Sequence, residues 1–72
     1  MKKIFKMENL DCAHCAAKME RGIQKLDGVI SASINFMALK FVLEAEDDKF
    51  EDVLAEAKKI CKKIEPDCQI KG

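Results

Sequence analysis

Two cysteines, Cys12 and Cys15, stand two residues apart in the stretch Leu10-Asp11-Cys12-Ala13-His14-Cys15. That spacing lets both sulfurs aim at one point, which suits either a soft metal ion or a dithiol redox pair. The thiolate is the form that binds metal, and a position at the start of a helix favours it, because free N–H groups and the positive end of the helix lower a thiol pKa. Two thiolates do not complete a tetrahedral divalent site; alone they suit linear Cu(I). Asp11 changes that expectation. Its carboxylate adjoins the first thiol, adds a harder oxygen donor and helps balance a dication, which favours Zn(II) or Cd(II), with Pb(II) also accommodated. The bland roles for Asp11 are a helix cap or an ordinary loop acid, but beside paired cysteines we favour the ligand role. His14 is a common ligand type, yet it lies between the cysteines and is read as a solvent-facing loop residue.

The elements that must position this pair follow from hydrophobic period. Residues 2–8 alternate, with Phe5 and Met7 on one side and Lys6 and Glu8 on the other, as in a half-buried strand. Residues 9–13 read as a loop. A helix is predicted over 14–26, with Ala16, Met19, Ile23 and Leu26 on one face, stopped by Asp27-Gly28. Residues 29–36 alternate again through Ala32, Ile34 and Phe36, and 40–45 through Phe41 and Leu43. The connection 37–39 lacks the Gly or Asn of a tight hairpin, but a hairpin is still the simplest reading. Asp47 or Asp48 is expected to cap a second helix whose stripe is Phe50, Val53, Leu54, Ala57, Ile60 and Ile64. Its acidic start and lysine-rich end match the helix dipole. Pro66 marks its stop, and Cys68 and Ile70 alternate into a last strand. The order β-α-β-β-α-β predicts an α+β, ferredoxin-like fold, two helices on one face of a four-stranded antiparallel sheet.

The 72 residues imply a single domain, 1–72, whose small core would gain from a metal. Thirteen basic and thirteen acidic residues cancel, and Trp and Tyr are absent, which argues against nucleic acid. No apolar run reaches membrane-spanning length, and the N-terminus does not read as a signal peptide, so direct membrane insertion is not expected and a cytoplasmic setting with reduced thiols is. A monomer is expected. Cys61 and Cys68 tempt a four-cysteine zinc site, but free Cys often packs as a small apolar residue, and both are read as structural. Met7 and Met19 fit the core, and the lysine clusters are most simply solvated helix faces.

The chain resembles the heavy-metal-associated domain family over nearly its whole length. The resemblance is carried by the C-x-x-C loop, Lys18-Met19-Glu20, Leu26-Asp27-Gly28-Val29 and Ile34-Asn35-Phe36. Copper members usually have Met-Thr or Met-Ser before the first Cys; Leu10-Asp11 here looks like the zinc, cadmium and lead exporters, as does the tail Lys62-Lys63-Ile64-Glu65-Pro66-Asp67. The resemblance implies a non-catalytic domain that binds the ion through Cys12, Cys15 and Asp11 and belongs to a larger membrane-bound P-type ATPase, on its cytosolic side. Two departures stand out. Asn9-Leu10 replaces a frequent Gly-Met, implying a differently shaped loop start, and a Gly usual near Leu39 is missing, which would leave Met37 and Leu39 exposed. The alternatives are a free-standing copper(I) chaperone of the same fold and a thiol-disulfide oxidoreductase. The latter would need a parallel βαβ core and a longer chain.

Overall fold

The alternating residues at the chain's start become a central strand of the sheet. A computed structural model, which describes residues 1–71, runs β1 (Lys2–Glu8), α1 (Ala13–Gln24), β2 (Val29–Asn35), β3 (Lys40–Ala45), α2 (Phe50–Ile64) and β4 (Gln69–Lys71). The strands form one antiparallel sheet in the order β2-β3-β1-β4. Phe5 stands opposite Phe41, which stands opposite Ile34, so apolar residues line up on one face of three adjoining strands. Both helices cover that face with Ala16, Met19 and Ile23 from α1 and Phe50, Val53, Ala57 and Cys61 from α2. The Phe5 ring stacks between Phe41, at 5.8 Å, and Phe50, at 6.4 Å, tying sheet to helix. Each such buried side chain contributes about 1.5–3 kcal/mol, so a core of this size leaves little surplus over chain entropy.

The helix that begins at the cysteine loop is also fastened to the sheet by polar bonds. β2 is an edge strand, with backbone groups that β3 does not reach. α1 supplies the partners: the Glu20 carboxylate accepts from the Ile34 N–H at 2.7 Å, and Gln24 Nε2 donates to the Ala32 carbonyl at 2.8 Å. These two bonds fix the height and rotation of α1 on the sheet, and with them the position of its first turn.

The boundaries differ from sequence expectation in instructive ways. α1 begins at Ala13 rather than His14 and ends at Gln24. Residues 25–28 then turn, with Leu26 N–H bonded to the Ile23 carbonyl at 3.0 Å. Gly28 (φ 95°) makes the left-handed step, and Lys49 crosses so close that a Cβ there would lie 2.8 Å from its Cδ. α2 starts at Phe50, and neither Asp47 nor Asp48 caps it; Lys49 is the N-cap residue and makes no side-chain cap bond. Asp47 is instead 2.7 Å from the Met1 amino group, and Lys49 pairs with Asp27 at 3.2 Å. β2 ends at Asn35, one residue early, where the Asn35 side chain accepts from the Ala38 N–H at 3.0 Å and starts the turn. A bulge between Val29 and Ser31 leaves Ile30 exposed.

If the α1–β2 bonds hold the helix in place, Glu20→Ala will lower unfolding stability in urea by about 1–2 kcal/mol, with Glu20→Gln losing less. A Glu20→Ala loss no greater than that of exposed Lys18→Ala would refute this account of the β2 edge.

Candidate metal centre

The loop after β1 is shaped by two residues that also depart from the family pattern. Asn9 adopts φ 61°, the left-handed region that Asn tolerates better than most residues, and Leu10 is buried in the core. The left-handed Asn9 turns the loop start and the buried Leu10 anchors it. Asn9 Nδ2 also donates to the Asp67 carbonyl at 3.2 Å, tying this loop to the one between α2 and β4. Leu39 likewise takes a left-handed backbone (φ 53°), and its carbonyl accepts from the Met7 N–H at 2.8 Å. Leu39 is half-buried against the core, whereas Met37 is 90% exposed. The register of β1 with β3 brings this hairpin to the same end of the molecule as the cysteine loop.

Cys12 is the N-cap residue of α1. Its sulfur accepts the Cys15 N–H at 3.1 Å, a role usually filled by an oxygen side chain. The Cys15 thiol, the Cys15 N–H and the His14 N–H together hold the Cys12 pKa below the ordinary thiol range. The same hydrogen bond acts in reverse on Cys15, which donates to Cys12. That bond, the loss of solvent and the Cys12 charge push Cys15 up to about 11. The hydrogen bond between them thus makes Cys12 the more acidic of the two thiols, with the shared proton held on Cys15. Both side chains are half-buried, at the surface rather than in a cleft.

The other predicted residues fall as follows. Asp11 is exposed and lines a shallow concavity of about 350 Å³ with Asn9, Glu65, Asp67 and Gln69, beside the thiol pair rather than between its sulfurs.

 Among the described residues, no three His, Cys, Asp or Glu side chains are gathered closely enough to hold an ion. His14 is exposed, as expected, but in the first turn of α1 rather than in a loop. Cys61 and Cys68 are 1% exposed, away from the pair. Burial pushes the Cys61 thiol up to about 12 and raises Cys68 as well, which suits packing residues. Glu65 was not singled out from sequence. Its negative charge raises both Cys12 and Cys15, and the only sequence signal for it was its place in the tail after α2.

A pair of half-buried thiols at the surface end of a helix, next to carboxylates, can exchange a soft cation without opening the fold. The family model for the heavy-metal-associated domain matches residues 4–68, nearly the whole chain and both cysteines. The chain is a heavy-metal-associated domain. It is therefore a non-catalytic, heavy-metal-binding module, related to the N-terminal domains of metal-transporting P-type ATPases. It is 45% identical over 51 residues to a cadmium, zinc and cobalt-transporting ATPase of Helicobacter pylori, covering 71% of this chain and 7% of that protein. A Bacillus subtilis ATPase of the same description is 29% identical over 66 residues, covering 92% and 9%. The chain thus spans less than a tenth of the length of these relatives. Among solved structures, the CopZ metallochaperone superposes with a TM-score of 0.75 at 21% identity, covering 97% of this chain and 98% of that one. The N-terminal domain of a potential copper-translocating ATPase from Bacillus subtilis gives 0.76 at 27% identity, covering 97% and 82%. No helix among the described residues is long and apolar enough to cross a membrane.

Because Cys15 titrates near 11 and Cys12 below the ordinary range, an ion bound by both sulfurs displaces one proton at pH values between the two. Apparent affinity will then rise about tenfold per pH unit, and more steeply below the Cys12 pKa, where two protons must leave. Calorimetric titration in buffers of different ionisation enthalpy reads the proton count, and a pH-independent affinity across that window would contradict the shared-proton pair.

Proposed function

We propose that this domain binds a soft divalent cation, Zn(II) or Cd(II) with Pb(II) also accommodated, through Cys12, Cys15 and Asp11. It acts as the cytosolic metal-binding domain of a membrane-bound P-type exporter, delivering the ion towards the transport site or sensing it. Residues 1–72 form that single domain. The observation that carries this reading is the carboxylate-lined concavity beside the thiol pair, where Asp11, Glu65 and Asp67 meet. Two thiolates and one carboxylate around a dication leave a single negative charge, and the neighbouring carboxylates favour a higher cation charge over a monovalent ion. Asp11 is exposed, so its side chain is free to turn in as the oxygen donor. The relatives described as cadmium and zinc transporters support the same choice.

Exchange chemistry follows from exposure. An incoming ligand reaches an ion at a surface site before the old ligands leave, so the ion passes through a shared intermediate. Cys12, already the better thiolate, makes the first bond, and Cys15 gives up its proton as the second sulfur closes.

The second reading is a Cu(I) chaperone. It is favoured by the donor set, since two thiols with no third ligand gathered beside them among the described residues suit linear Cu(I), and by structural neighbours described as copper-transporting domains. Competition titrations separate the two. Asp11→Ala should weaken Zn(II) and Cd(II) binding about tenfold or more while leaving Cu(I) nearly unchanged. Equal Zn(II) and Cd(II) affinity in wild type and variant would remove Asp11 from the ligand set. Cys12→Ser should abolish tight binding of all three ions.

A further inference from the structure

The sheet face turned away from the helices carries a row of three lysines. In register, Lys40 of β3 stands opposite Lys6 of β1, and Lys6 stands opposite Lys71 of β4. Directly paired residues of antiparallel strands point to the same side, and strands lie about 4.8 Å apart. Three ammonium groups therefore sit abreast on three adjoining strands, all exposed. Like charges directly opposite one another oppose strand pairing. Lys71 has partial relief from Glu8 at 3.9 Å, but Lys6 and Lys40 form no ion pair among the described residues. In the next row, Ile4 stands opposite Val42, and Ile4 is 63% exposed. Ile4, Lys6, Ala38 and Lys40 line one shallow concavity of about 320 Å³.

We propose that this face docks an acidic segment of a partner protein, with carboxylates meeting Lys6, Lys40 and Lys71 and an apolar side chain covering Ile4. Charge complementarity selects this occupant. The row is local, and Glu8 and Glu44 share the same face, so discrete carboxylates fit it better than a uniformly anionic membrane. Nucleic acid would require a basic excess that the chain lacks. The proposal does not depend on which ion Cys12 and Cys15 bind.

The test is amide chemical-shift mapping of the whole chain with a synthetic peptide of alternating Asp and Glu around one Ile. We expect shifts at Ile4, Lys6, Lys40, Val42 and Lys71, weakening in high salt, and about tenfold weaker binding for the Lys6→Glu/Lys40→Glu variant. Circular dichroism of that variant should be unchanged, since neither side chain enters the core, and Lys6→Gln, which removes a charge without reversing it, should weaken binding less. Shifts centred on Lys58, Lys62 and Lys63 of α2 would overturn the assignment. So would equal binding by the double variant, or stronger binding to vesicles containing phosphatidylglycerol than to the peptide.

Discussion

The start of α1 imposes the constraint around which the rest of this domain is arranged. A helix leaves its first N–H groups without backbone partners, and here the sulfur of Cys12 takes up the Cys15 N–H. One atom is both the end of a helix and the reactive group. That double duty explains why Cys12 and Cys15 differ although both stand at the surface: the first collects donors, and the second becomes one of them. Everything that holds α1 at a fixed height, including Glu20 and Gln24 on β2 and Leu10 beneath the loop, also holds the thiol pair.

The charge of Glu65 opposes the thiolates and favours a bound cation. Glu65 raises both sulfurs, so a negative field makes deprotonation harder while making a nearby cation more welcome. The two effects meet at the moment of binding, when positive charge arrives as protons leave. The hydrogen bonds that gather on Cys12 still outweigh Glu65 there, so its thiol remains the more acidic of the two.

Much of this was legible in the sequence, and the reasons for the remainder are physical. Period-two and period-3.6 patterns placed all six elements, because one-sided burial leaves its mark on every strand and helix. The C-x-x-C spacing located the thiol pair. What escaped were interactions that join distant residues or use an unusual group. Cys12 is not a customary cap, so the helix was expected to begin later. Asp47 looked like a cap, but the Met1 amino group claims its carboxylate. Glu65 reaches the thiols only through the tertiary fold. Asn9 and Leu39 show that a left-handed backbone can be occupied by residues other than Gly.

The side chains that fasten α1 have a separate consequence for how such domains coexist. An open sheet edge is a template on which another chain can add a strand. Along β2, the Ile34 N–H and the Ala32 carbonyl are already occupied by Glu20 and Gln24. At the opposite edge, β4 is only three residues long. Neither border offers a long unpaired ladder to an intruding strand. Strand addition from a neighbouring chain is thereby hindered at both borders.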